Sequence, residues 1–297
     1  MADTEVRAGW GRSGLNADQL RHARRCYPDF RPRRTVANTG KAVLLAGTYG
    51  DQPAVLKVLT DQTRPWRGRF ARESAAYEVF TVAPPPVRVP VLLAPPSPGL
   101  LLVERICGLP VARHRYLDAT LPAAAADALL HAADTLADWT APVVFTPVVD
   151  YPQRILRYGP GGHGVLGADS VMALLALYRR VTARARWQFA HGDLLPANVL
   201  LDDDAVSAVL DWEYAGLYLP GYDHALLWVL AVDDPDLQSR TASGLDGDAF
   251  WLNAAVLLAR EIRIHRDEAD RHPALAARLD RLRPLAVEVT RAVATRL

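Results

Sequence analysis

The residues best equipped for chemistry fall in one stretch, HGDLLPANVLLDDDAVSAVLDWE, residues 191–213. Val199–Leu201 and Val206–Leu210 are apolar runs, and Asp202-Asp203-Asp204-Ala205 between them reads as a turn. Folded as a hairpin, the segment brings its open ends together, with Asn198 just before the first run and Asp211 just after the second. An amide oxygen and a carboxylate then meet at one edge. Magnesium takes oxygen ligands, keeps several waters, and is commonly held by one or two protein groups plus substrate phosphates. Asn198 and Asp211 fit that number. Asp193 lies five residues before Asn198 and is placed to face a nucleophilic hydroxyl beside a metal-bound phosphate. Phosphoryl transfer asks a protein for positioning, charge neutralisation and an acceptor for the substrate proton, and Asp193 suits the last role. The acidic triplet 202–204 lacks an EF-hand pattern and reads as a solvated turn rather than a calcium loop.

The elements that must position these groups change character along the chain. Asn16 and Gln19 form a capping pair for a short helix near 17–26. Arg34–Ala37, Ala42–Thr48 and Ala54–Leu59 are short apolar or β-branched runs, read as three antiparallel strands joined by a loop at 38–41 and a turn at Gly50. In 66–82, Phe70, Ser74, Tyr77 and Phe80 share a helical face. A proline-rich stretch holds a strand at 91–93 and leads into a further strand at Leu100–Ile106. Beyond it the pattern is mainly helical: 122–139 with a proline in its first turn, 169–184, about 223–232, 247–266, and 274–295, where Pro284 is expected to kink or split the helix. A short β section lies at 198–212 and a loop at 158–164. The expected architecture is α+β, a strand-rich part over residues 1–106 and a helical part over 107–297.

The motif H-G-D-x-x-P-x-N followed by L-D-W-E resembles the catalytic loop and metal-binding turn of the aminoglycoside phosphotransferase and choline kinase-like family. The resemblance implies a two-lobed protein-kinase-like fold, with an antiparallel N-lobe sheet carrying one helix and a helical C-lobe. It also implies the roles. Asp193 is the catalytic base, Asn198 and Asp211 hold magnesium, and His191 and the buried Asp223 of GYDHA support the loop. Trp212-Glu213 follow Asp211 where protein kinases have Phe-Gly. Ala-Val-Leu-Lys at 54–57 puts Lys57 on the third strand, where an ammonium neutralises the α- and β-phosphates. Its orienting carboxylate is Glu73 first and Glu78 second. The loop with Gly40 and Lys41 covers the phosphates, and the backbone of Val103 and Arg105 binds the adenine edge. ATP or GTP is the co-substrate.

The bulk composition agrees with an enzyme of small molecules. The chain has 297 residues, half of them hydrophobic, with 34 basic against 33 acidic groups and a formal charge of +1. Such balance offers no strong field for nucleic acid or an anionic membrane. No apolar run is long enough to span a bilayer, and the N-terminal stretch lacks the pattern of a signal peptide. Two cysteines, Cys26 and Cys107, make neither a disulfide framework nor a zinc site. A cytoplasmic enzyme, monomer or homodimer, is the expectation. Of the basic residues only Lys41 and Lys57 are lysines, so a lysine kept against that arginine bias has reason to be a compact point charge. A protein kinase would need D-F-G, A-P-E and room for an activation segment. A pseudokinase would lack one of Lys57, Asp193, Asn198 or Asp211, and all four are present. The leading reading is a kinase acting on a hydroxyl of an antibiotic or of a sugar-like or amino-alcohol metabolite. The arginines that offset the acids after residue 233 weigh against a highly cationic acceptor. An arginine-rich, GC-rich coding bias is compatible with antibiotic self-resistance.

Overall fold

A computed structural model describes residues 10–11, 13–117, 119–202, 205–242 and 247–297. The turn residues Asp203 and Asp204 and most of 1–14 lie outside the described residues. The chain divides into two compact units: Met1–Leu109 with Asn198–Ala215, and Pro110–Ala197 with Gly216–Leu297. The hairpin that ends in Asp211 therefore groups with the first unit, although sequence order places it among the helices.

In the first unit, helix α1 (Ala17–Cys26) opens with a reciprocal capping box. The Asn16 side chain accepts from Gln19 N, and the Gln19 side chain accepts from Asn16 N, each at 2.9 Å. Strands β1 (Phe30–Asn38), β2 (Ala42–Tyr49), β3 (Gln52–Leu59) and β4 (Leu100–Glu104) form one antiparallel sheet in that order. The first strand starts four residues earlier than its β-branched run suggests. Pro32 is accommodated beside one of two register shifts in this edge strand. The expected strand at 91–93 is only a bridge, Leu92 to Val103. Leu45, Leu56 and Leu102, all fully buried, pack with Phe30, Tyr27 and Trp10 on one sheet face. Because side chains alternate along a strand, Lys57 between Leu56 and Val58 must point to the opposite face. Helix α2 (Arg64–Phe80) buries Phe70, Glu73, Ala76, Tyr77 and Phe80. The two-residue strand β5 (Leu109–Pro110) ends the N-terminal run. The later hairpin is β7 (Val199–Asp202) with β8 (Ala205–Val209), Val199 opposite Val209.

The second unit is mostly helical: α3 (Ala123–Ala137), α4 (Tyr151–Tyr158), α5 (Ala168–Thr182), α6 (Tyr222–Leu230), α7 (Pro235–Ala242), α8 (Asp248–Glu268) and α9 (Pro273–Ala294). Strand β6 (Gln188–Ala190) pairs with β9 (Gly216–Tyr218). Its core gathers Tyr151, Leu177, Leu226, Val229, Val256, Leu257 and Leu282 from five different helices. Pro122 is the N-cap of α3 rather than a first-turn residue. Pro284 neither ends nor splits α9, which runs on to Ala294. That proline sits on the exposed face, so the carbonyl left without its N–H partner meets solvent, while Leu282, Leu285 and Val289 hold the helix to the core. Among the described residues no helix is long and apolar enough to cross a membrane.

Candidate active site

In the first unit, three predicted residues come together in one chain of charges. The Lys57 ammonium donates to Glu73 Oε2 at 2.7 Å and to Asp211 Oδ1 at 2.8 Å. Glu73 is 3 % exposed, whereas Glu78 lies on the outer face of α2 and is exposed. Burial opposes the Lys57 charge, but Glu73 and Asp211 outweigh it and hold the ammonium above its ordinary range. Burial pushes the Glu73 carboxyl up to about 7, against the pull of Lys57.

Asp211 is the only non-glycine among the described residues with a positive φ, at 64°. Aspartate tolerates this left-handed region better than most residues, yet the conformation costs about 1–3 kcal/mol and is characteristic of functional sites. The surroundings fix it. Trp212 is fully buried, donates Nε1–H to Val209 O at 3.0 Å, and meets Phe80 edge-on at 4.9 Å between ring centroids. Arg72 of α2 donates to Glu213 O at 3.3 Å. The helix that supplies Glu73 therefore also clamps the turn that supplies Asp211.

Asn198 ends a 3-10 turn, Pro196–Asn198, and its carbonyl accepts from Leu210 N at 2.8 Å. This bond closes the open end of the hairpin and sets Asn198 beside the residue preceding Asp211. The donor set is one carboxylate and one amide, all oxygen and hard, as magnesium requires when phosphates complete its shell. Among the described residues no group of three or more His, Cys, Asp or Glu is arranged to hold a metal by itself.

The loop before β2 has its own structure. Gly40 takes φ 75°, a region open to glycine. Its N–H donates to Asn38 Oδ1 at 3.1 Å, and its carbonyl accepts from Thr60 Oγ1 at 3.1 Å. The Lys41 ammonium stacks on the Trp66 ring at 4.0 Å, with Arg69 on the same ring at 4.2 Å. Val103 lies within the sheet opposite Val55. The Arg105 amide donates to Pro53 O at 3.0 Å, so this N–H is not available to an adenine edge.

In the second unit, the loop carrying Asp193 is anchored from below. Asp223 is 3 % exposed and accepts from the backbone N–H groups of His191 at 2.7 Å and Gly192 at 2.9 Å. Burial raises the Asp223 carboxyl above its usual value, and His191 and the two N–H groups pull it back. Gly192 at φ 80° lets two consecutive amides face one carboxylate. His191, fully buried, accepts from Asp193 N through Nδ1 at 3.3 Å. Sequence reasoning did not single out what surrounds the Asp193 side chain. Arg115 approaches its Oδ1 at 3.5 Å and Arg260 at 4.0 Å. Behind both guanidinium groups lies Glu261, 1 % exposed. It accepts from Arg115 at 2.9 Å, from Arg260 Nε at 3.1 Å and from Tyr116 at 3.1 Å. Burial alone would raise the Glu261 carboxyl, but Arg260 and Arg115 bring it down to about 2.

No curated protein matches the chain. Among solved structures, the aminoglycoside phosphotransferase APH(4)-Ia superposes with a TM-score of 0.62 at 15% identity, over 93% of this chain and 99% of that one. The streptomycin–ATP–APH(2")-IIa ternary complex gives 0.59 at 13% identity, over 90% and 96%. ADP-bound APH(2'')-Ib gives 0.55 at 12% identity, over 94% and 97%. At such identities the likeness is one of fold, an antiparallel N-terminal sheet followed by a helical region, as in kinases. The model of the phosphotransferase enzyme family matches residues 42–243, about two thirds of the chain and the whole span from β2 to α7. Fold and family model converge: the chain belongs to the phosphotransferase enzyme family and is a kinase-type phosphotransferase.

Proposed function

We propose that the protein transfers the γ-phosphate of ATP, with magnesium, to a hydroxyl of a small molecule, an antibiotic or a metabolite. The observation that carries this reading is the Lys57 ammonium held between Glu73 and Asp211. A buried ion pair of this kind is poor value as mere stabilisation, since apolar residues of equal volume commonly do as well. Its use is to present a fixed cation. Lys57 neutralises the α- and β-phosphates, and Glu73 keeps its ammonium in place. Asn198 and Asp211 hold magnesium, which when bound neutralises phosphate charge during transfer. Asp193, steadied through His191, Gly192 and Asp223, takes the proton of the attacking hydroxyl. The loop with Gly40 and Lys41 covers the phosphates. The Arg105 carbonyl remains for the adenine edge, since the Val103 backbone is paired with Val55 in the sheet.

The test is nucleotide binding under magnesium titration, together with diphosphate release against a panel of hydroxylated compounds. ATP affinity that rises with magnesium in the wild type, and not in Asp211→Ala, supports the assignment. Equal magnesium dependence in the two proteins would remove Asp211 from the metal site. Running the same assay with GTP decides the nucleotide.

A further inference from the structure

One face of α2 leads from the Lys57 pair to two further cations in the first unit. Trp66, Arg69 and Glu73 stand at i, i+3 and i+7, so they follow one another along the same side of the helix. Glu73 reaches Lys57. One turn nearer the helix start, the Arg69 guanidinium lies 4.2 Å from the centre of the Trp66 ring and 4.9 Å from that of Tyr214. The Lys41 ammonium lies 4.0 Å from the same Trp66 ring. The row therefore joins the loop before β2, the first turns of α2 and the chain just beyond Asp211.

Neither cation is paired with an anion. Among the described residues, the Lys41 ammonium and the Arg69 guanidinium form no hydrogen bond and no ion pair, and aromatic rings are their partners. The Asp61 carboxylate feels the charge of Lys41 but accepts from the Thr63 amide at 2.8 Å. Trp66 and Arg69 are half-buried, whereas the Lys41 side chain is exposed. The Lys41 carbonyl accepts from Thr60 N at 2.9 Å and Asp61 N at 3.1 Å, which pins its backbone to the end of β3. A ring face attracts a cation less strongly than an oxyanion does, and it leaves N–H groups open to an acceptor. Stacking also fixes the plane of a guanidinium. Two cations held on one ring, with no carboxylate to neutralise them, are set for an incoming anion.

We propose, resting on the phosphotransferase reading above, that Arg69 is a further phosphate-binding residue, which with Lys41 takes oxygens of the terminal phosphates of the nucleotide. Trp66 and Tyr214 are positioning residues that hold its guanidinium. The contacts set Arg69 between the two groups assigned to the phosphates: it shares a ring with Lys41 and lies one helical turn from Glu73, the partner of Lys57. Lys57 then serves one part of the triphosphate, and the Lys41–Arg69 pair serves its far end.

The experiment is calorimetric titration of wild type and variants with magnesium–ATP and with AMP, which lacks the terminal phosphates. Arg69→Gln is expected to lower magnesium–ATP affinity by about tenfold and to leave AMP affinity unchanged. Arg69→Lys should recover little of the loss, because an ammonium has no plane to stack between two rings. Trp66→Leu should show the same selective loss as Arg69→Gln. Arg69 has no ion pair to lose, and melting curves report that the variants are folded. An Arg69→Gln protein that keeps the wild-type preference for magnesium–ATP over AMP would overturn the proposal. So would an equal loss for both nucleotides, which would mark Arg69 as a packing residue. A wild type that binds no magnesium–nucleotide would instead remove the phosphotransferase reading itself, so the two failures are read on separate measurements.

Discussion

The residues proposed for the site divide by how they are held. Lys57, Glu73 and Asp211 are fixed by mutual charge, and Asp193 by the backbone anchors below it. Asp211 pays for its place with a left-handed backbone. Asp211→Gly relieves the φ strain but removes one of the two carboxylates on the Lys57 ammonium, so the melting temperature should move little while magnesium-dependent ATP affinity falls by about tenfold or more; melting curves and nucleotide titration check both. Glu261 offers a pH test with a defined sign. Its folded carboxyl lies near 2 against an ordinary 4.5, so its stabilisation is complete above about pH 4.5 and is lost as pH falls towards 2. The size of that contribution is roughly 3 kcal/mol. Denaturation of Glu261→Gln across this window should show a flatter acid dependence than the wild type, and parallel curves would show that the arginines do not act on Glu261. The charges that meet in the structure were legible because type and spacing coincide: Lys57 on a strand, Glu73 on a helical face and Asp211 at the end of a hairpin. The arginines that approach Asp193, Arg115 and Arg260, were not, because 32 arginines in 297 residues hide which two do so. The φ of Asp211 has no sequence signature at all.

At the scale of elements, Trp212 joins the Asp211 turn to α2. It is fully buried against Phe80, beside the residue that the Lys57 chain depends on. Trp212→Ala should cost about 3–5 kcal/mol in urea denaturation, and Trp212→Phe much less, since an aromatic edge contact with Phe80 survives. If Ala is tolerated at under 1 kcal/mol, the turn is held by other means. Elements with a clear period were readable: α1 by its capping box, β2 and β3 by their β-branched runs, α2 by the spacing of Phe70, Tyr77 and Phe80. Those that escaped were short or carried contrary signals. Strands β6 and β9 have three residues each, too few for alternation to register. Helix α4 begins Tyr151-Pro152 and runs straight into a glycine-rich loop, and α7 has only eight residues. The split expected at Pro284 does not occur, because helix breaking depends on whether the orphaned carbonyl can reach water, which the sequence alone does not state.

At the scale of the molecule, each of the two compact units has its own hydrophobic core, HGDLLPAN ends in one of them and begins in the other, and the catalytic assignments draw on both. The fold class was legible from the switch between strand and helix periods. The grouping of 198–215 with the sheet was not, because it depends on bonds distant in sequence, such as Lys57 to Asp211 and Val209 N to Arg88 O. If magnesium serves only the transferred phosphates, chelation should abolish turnover while leaving the melting temperature of the nucleotide-free protein unchanged; a lower melting temperature would reveal a structural metal. The most direct measurement compares wild type and Asp193→Ala in transfer of the γ-phosphate from magnesium–ATP to an accepted hydroxyl compound, following the gain of one phosphate by mass. The expected result is a fall in turnover of roughly 10²–10⁴-fold with ATP affinity little changed. Turnover equal to the wild type would contradict the assignment of Asp193 as the proton acceptor.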